Sequence, residues 1–127
     1  MKLPRRILVV GESRGFTSLF EQLEARGYHF EYVADSEAAR TCLLRQAVDA
    51  LLLRLPPVEA EGRATLAWLR TVKEQLPVVV ISCEEDVHLY LAAMEEGAFD
   101  YFTCHTPLDE IRRVLENAVR WRQHQVA

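Results

Sequence analysis

Few side chains in this chain of 127 residues pair a reactive type with a spacing that chemistry can use. Cys83 and Cys104 come first: two thiols that could cross-link, or with His105 form part of a metal site. That metal reading has only three donors. Cys104 and His105 are consecutive, so on a strand end they point apart, which disfavours a Cys–His catalytic dyad. Glu12, Arg54 and Ser82 supply an acid, a fixed cation and a hydroxyl, each at or just after the end of a short apolar run. His29, His88 and His124 have no partners at ligand spacing and read as surface residues, while Cys42 reads as a core thiol. Gly11 and Gly15 lack the spacing of a dinucleotide-binding loop. Two charge groups complete the set: Arg112, Arg113, Arg120 and Arg122 near the C-terminus, and Glu84, Glu85, Asp86, Glu95, Glu96 and Asp100 before them. Such runs are commonly solvated faces, but opposite charges also steer association.

The elements that must hold these residues alternate in type. Ile7-Leu8-Val9-Val10 is a short β-branched run with no polar break, the pattern of a buried strand. Phe16, Leu19, Phe20 and Leu23 follow at helical spacing, and Gly27 ends that helix. Phe30, Tyr32 and Val33 suggest a less apolar edge strand. Asp35 or Ser36 can cap a second helix with Ala39, Leu43 and Ala47 on its inner face. Ala50-Leu51-Leu52-Leu53, short and followed by Pro56-Pro57, reads as a third strand. Trp68, Leu69, Val72 and Leu76 mark a third helix closed by Pro77, and Val78-Val79-Val80-Ile81 is a fourth strand. Asp86 can cap a fourth helix that places Val87, Tyr90, Leu91 and Met94 on one face and ends at Gly97. Residues 99–103 read as a fifth strand. Thr106-Pro107-Leu108-Asp109 opens a last helix with Thr106 as its cap and Ile111, Leu115 and Ala118 inward.

Strands alternating with helices imply a mostly parallel sheet covered on both faces. Ligands of such sheets sit outside the carboxyl ends of the strands. Those ends are Gly11-Glu12-Ser13, Arg54-Leu55-Pro56, Ser82-Cys83 and Cys104-His105. Composition sets the remaining bounds. Half the residues are hydrophobic and 27% charged, as in a globular domain. The net charge of −4 argues against dedicated nucleic-acid binding. The apolar runs are far short of a bilayer span, and the basic start Met1–Arg6 precedes too short an apolar run for a signal peptide. Three cysteines without a CxxC pair fit a reducing cytoplasm. The expectation is one domain over residues 1–127, with a frayed tail at 123–127.

From Arg6 to Arg120 the chain resembles the receiver domain of two-component response regulators. Arg6–Val10 is similar to that family's opening strand, Pro77–Cys83 to its fourth strand and switch hydroxyl, and Glu95–Tyr101 to its Gly-Ala turn and switch aromatic. The resemblance implies an α/β three-layer sandwich of the flavodoxin-like kind, with a five-stranded parallel sheet in the order 2-1-3-4-5. It also implies a site of five side chains: an acid pair holding Mg²⁺, a phosphoacceptor aspartate, a hydroxyl and a lysine. In this chain the acid pair falls on Gly11 and Glu12, the acceptor on Arg54, the hydroxyl on Ser82 and the lysine on Cys104, with His105 where a proline usually follows. The switch aromatic falls on Tyr101.

Three of the five positions have therefore lost their chemistry. A guanidinium stays protonated and has no lone pair to accept a phosphoryl group. Its charge about 4 Å from a divalent ion costs roughly 8 kcal/mol at an effective dielectric near 20. Asp49 lies at the far end of its strand, and Glu59 and Glu61 sit on a loop with nothing to fix them at the site. Mg²⁺ binding is expected to be lost and no cofactor is implied. Arg54 is expected either to pair with the Glu12 carboxylate or to be an exposed remnant; the pair is the sharper expectation. Ser82 is expected to bond its own loop, and Tyr101 to hold one rotamer. The leading function is a non-enzymatic, phosphorylation-independent signalling module whose partners are proteins, with neither nucleic acid nor membrane involved. Dimerisation would use the fourth helix, fifth strand and last helix, with Arg112, Arg113 and Arg120 contributing charge. Two alternatives stand beside it: phosphorylation at an unrecognised residue, and redox or metal sensing through Cys83 and Cys104.

Overall fold

The computed structural model describes residues 5–12, 14–54, 65–68, 75–83 and 86–125. The strands are β1 (Arg5–Val10), β2 (Tyr28–Val33), β3 (Ala50–Arg54), β4 (Val78–Ser82) and β5 (Asp100–Thr103). The helices are α1 (Thr17–Glu24), α2 (Ser36–Arg45), α3 (Val87–Glu95) and α4 (Leu108–Gln125), and residues 65–68 are also helical. All five strands run parallel in the order β2-β1-β3-β4-β5, as expected from the sequence. Residues 69 and 72 of the third helix expected from the sequence, the two prolines after β3, and Glu59, Glu61, Ser13, Glu84 and Glu85 lie outside the described residues.

The alternation of side chains along each strand divides the core in two. Ile7, Val9, Leu52, Val79, Ile81 and Phe102 face one way, under Phe20 and Leu23 of α1 and Ile111, Leu115 and Ala118 of α4. Leu8, Val10, Leu51, Leu53 and Val80 face the other way, under Ala39 and Leu43 of α2, Leu66, and Leu89 and Ala93 of α3. Each fully buried Leu, Ile or Phe contributes on the order of 2 kcal/mol through area removed from water. The central strands β1, β3 and β4 are apolar on both faces because both faces are covered. β2 lies at the edge and carries the polar alternation expected of it.

Four local expectations need correction. α2 stops at Arg45, where Gln46 turns extended (φ −147°, ψ 153°), so Ala47 lies beyond the helix and exposed, and Val48 is buried instead. α3 buries Leu89, Ala92 and Ala93 and leaves Val87, Tyr90 and Leu91 exposed, the reverse of the expected face. Small alanines let its backbone approach the sheet, so side-chain size misled the reading. Thr106 does not cap α4: its hydroxyl accepts from the Thr103 N–H at 3.0 Å, and the first helical bond runs from Ile111 N–H to the Pro107 carbonyl at 3.1 Å. The tail expected to fray from residue 123 is helical through Gln125.

Candidate functional site

β3 delivers Arg54 at its carboxyl end, between β1 and β4. Leu52, two residues earlier, belongs to the core beneath α1 and α4, so strand alternation turns Arg54 to the same face. Its Nη1 donates to the Glu12 carbonyl at 3.1 Å and also to the Arg14 carbonyl. Nη2 reaches Cys83 Sγ at 3.6 Å, and Cζ lies 5.3 Å from the centroid of the buried Phe16 ring. One guanidinium thus spans the loop after β1, the end of β4 and the start of α1.

The expected carboxylate pair between Glu12 and Arg54 does not form. Glu12 Oε1 pairs instead with Arg14 Nε at 3.1 Å, with side-chain exposures of 61% and 85%. Among the described residues no carboxylate pairs with Arg54. Glu12 has the nearer Arg14 as its partner, and the Arg54 guanidinium is taken up by the Glu12 and Arg14 carbonyls. Reading the site from residue types missed Arg14 and Phe16, because a backbone carbonyl acceptor and an aromatic face carry no signature in residue type.

Gly11 has a positive role at this site. Its φ is +105°, and a Cβ there would lie 3.0 Å from Arg54 Cβ. The absence of a side chain at Gly11 therefore lets the Arg54 stem pass. Gly15 acts similarly beside Cys83: with φ +87°, a Cβ would stand 3.0 Å from its Sγ.

Ser82 ends β4 and is 5% exposed; its carbonyl accepts from the Cys104 N–H at 3.3 Å. Cys83 and Cys104 are half-buried and pack against the core beneath α1 and α4. Burial and the adjacent Cys83 push the Cys104 thiol up, with Arg54 pulling the other way. His105 is exposed on the following turn, and among the described residues no three His, Cys, Asp or Glu side chains gather as metal ligands. Cys42 sits only at the margin of the opposite core face and contacts the Glu31 carboxylate at 3.1 Å, a partner the reading as a core thiol did not include. His29, His88 and His124 are exposed, as expected. Asp49 is at the amino end of β3, where its carboxylate accepts from the Arg6 N–H at 3.0 Å.

Tyr101 is half-buried against the α3-side core and meets the Tyr90 ring edge-to-face at 5.6 Å. On α4, Arg112 pairs with Asp109 at 3.6 Å and Arg113 with Glu110 at 3.9 Å. Arg113 borders a groove along β5 that includes Tyr101. Arg112, Arg113 and Arg120 also line a second groove together with Arg5 and Arg26. The basic residues of α4 therefore do not all face one surface with α3.

A doubly wound parallel sheet with polar side chains gathered at its carboxyl edge belongs to the class of α/β folds whose ligands sit outside the carboxyl ends of the strands. Comparison with known proteins narrows that class. The family model "Response regulator receiver domain" matches residues 7–116, and the chain belongs to that family. Response regulator MprA of Mycolicibacterium vanbaalenii is 29% identical over 110 residues, covering 86% of this chain and 48% of that protein. MprA of Mycobacterium leprae is 30% identical over 107 residues, covering 84% and 47%. The chain spans about half the length of these curated relatives. Among solved structures, a response regulator from Thermotoga maritima superposes with a TM-score of 0.81 at 24% identity, covering 93% of this chain and 99% of that one. A receiver domain protein from Clostridium thermocellum gives 0.78 at 21%, covering 98% and 100%. These likenesses establish the fold, and the family match makes the chain a receiver domain of two-component response regulators. No helix among the described residues is long and apolar enough to cross a membrane.

Proposed function

We propose that this receiver domain signals without an aspartyl-phosphate cycle, as a constitutive, non-enzymatic protein-interaction module of a two-component network. The observation that carries the reading is Arg54. It stands at the position matching the family's acceptor, and its guanidinium is tied to the Glu12 and Arg14 carbonyls. It can neither take a phosphoryl group nor leave the loop free to move.

The same residues do not fit the divalent cation that the family resemblance implies. Gly11 offers no carboxylate, Glu12 is engaged with Arg14, and a fixed cation lies against the loop. A hard dication needs several oxygen ligands, and a positive charge not offset by carboxylates opposes its binding. In this reading a permanent monovalent cation fastens the loop after β1, so one conformational state is held without a ligand. The half-buried Tyr101, fixed edge-to-face on Tyr90, belongs to that single state. Three free cysteines favour a reducing compartment, and the cytoplasm is the placement we adopt.

Calorimetric titration with millimolar Mg²⁺ tests the cation claim. The expected result is no saturable heat. A saturable site that disappears in Glu12→Ala contradicts it.

A further inference from the structure

We propose that Cys83 and Cys104 form a reversible disulfide, making the carboxyl edge of β4 and β5 a thiol-oxidation site. The inference goes beyond the reading above and holds whether or not the domain accepts a phosphoryl group. β4 and β5 pair in register up to Ser82 and Thr103, and the Cys104 N–H continues the ladder to the Ser82 carbonyl. The two cysteines are the next opposed pair. Side chains opposed across a parallel ladder share a face, and both cysteines pack against the same core cluster. Cys104 Sγ lies 3.9 Å from the Cys83 carbonyl oxygen. Neighbouring strands run about 4.8 Å apart, inside the Cα separation of about 4.4–6.8 Å that a disulfide accepts.

The surroundings also assign the roles. Arg54 Nη2 is 3.6 Å from Cys83 Sγ, a cationic donor against the sulfur that must carry negative charge when it attacks. Burial and Cys83 itself push the Cys104 thiol up, with Arg54 pulling the other way. Cys83 is thus the attacking sulfur and Cys104 the resolving one. Cys42 packs on the opposite face of the sheet and cannot compete for either.

With a hydroperoxide as oxidant, the Cys83 thiolate attacks the distal oxygen and the O–O bond breaks. Cys83 becomes a sulfenic acid, and with hydrogen peroxide the released hydroxide takes a proton and leaves as water. The Cys104 sulfur then attacks the Cys83 sulfur, and its proton leaves with the displaced hydroxide as a second water. Two thiols are oxidised by two electrons and one peroxide is reduced. Closing the bond joins Cys83, just past the end of β4, to Cys104, just past the end of β5.

The test uses the reduced, folded protein and one equivalent of hydrogen peroxide under nitrogen, read by intact mass, thiol alkylation and peptide mapping. A monomer about 2 Da lighter is expected, reverting with a dithiol reductant. Alkylatable thiols should fall from three to one, with Cys83 linked to Cys104. Cys42→Ser should behave the same way, whereas Cys83→Ser and Cys104→Ser, shown folded by circular dichroism, should never lose that mass. Oxygen adducts of about 16 or 32 Da without the link, linkage through Cys42, or three unchanged thiols overturn the proposal. No phosphodonor is present, so neither outcome depends on the signalling reading.

Discussion

Arg54 and Gly11 form one unit at the carboxyl edge of the sheet. The guanidinium makes charge-assisted bonds to two loop carbonyls and stacks over Phe16. Arg54→Ala should destabilise the domain by about 2 kcal/mol in denaturant unfolding, because those carbonyls lose their donor. Arg54→Lys keeps the charge but cannot fork to two carbonyls and a thiol, so it should recover no more than about half of that loss. Full recovery by lysine would mean that charge alone, not the fork, holds the loop. Gly11→Ala meets both a positive φ and a Cβ only 3.0 Å from Arg54 Cβ, and should cost about 2 kcal/mol by the same assay. That Arg54 itself accepts no phosphoryl group was legible in the sequence, since a guanidinium has no lone pair to offer. What Arg54 does instead was not legible. Its partners are main-chain carbonyls brought near by the turn after β1, and no side-chain pattern encodes them.

Among the elements, short apolar runs identified β1, β3 and β4 because burial on both faces leaves little room for polar residues, whereas β2 was read from a less apolar edge pattern. The inner face of α3 was misread because Ala92 and Ala93 do the packing while Val87, Tyr90 and Leu91 stay exposed. The aspartate caps of α2 and α3 form as expected, whereas the Thr106 cap of α4 does not. Asp35 accepts from the Ala38 N–H at 2.9 Å and Asp86 from the His88 N–H at 2.9 Å. Asp35→Ala should lower stability by about 1 kcal/mol in thermal or denaturant unfolding. A pH effect arises where β2 meets α4. Tyr28 is 2% exposed and donates to Glu116 at 3.1 Å. Burial, then the Glu116 charge, pushes its phenol up to about 12 from an ordinary 10.0. The folded state therefore holds the proton more tightly than the unfolded one. The stabilisation is fully present below pH 10 and is lost as pH rises through about 12. Unfolding midpoints should fall over that window, and Tyr28→Phe should flatten the fall. An unchanged slope in Tyr28→Phe would assign the alkaline loss to other groups.

At the scale of the whole molecule, fold and family follow from the sheet order and the family match, but the partner does not. The exposed side chains of α3 and the basic residues of α4 suggest how association would begin. Arg112 and Arg120 share a groove with Arg5 and Arg26, whereas Arg113 also borders the β5 side. We expect self-association or partner binding to weaken with salt and with charge reversal at Arg112, Arg113 and Arg120, measured by sedimentation across ionic strengths. Reversal at Arg120 compared with reversal at Arg113 should separate the two grooves, since Arg113 lines both and Arg120 only the one shared with Arg5 and Arg26. Associations indifferent to all three substitutions would leave α4 a solvated face. The central claim is that a guanidinium fixed where the family's acceptor stands removes the phosphorylation cycle. Intact-mass spectrometry after incubation with a small acyl phosphate and Mg²⁺ tests it most directly. No adduct of about 80 Da should form on the wild-type chain, whereas a functioning receiver run in parallel should acquire one. A hydroxylamine-sensitive adduct of that mass on this chain would contradict the account.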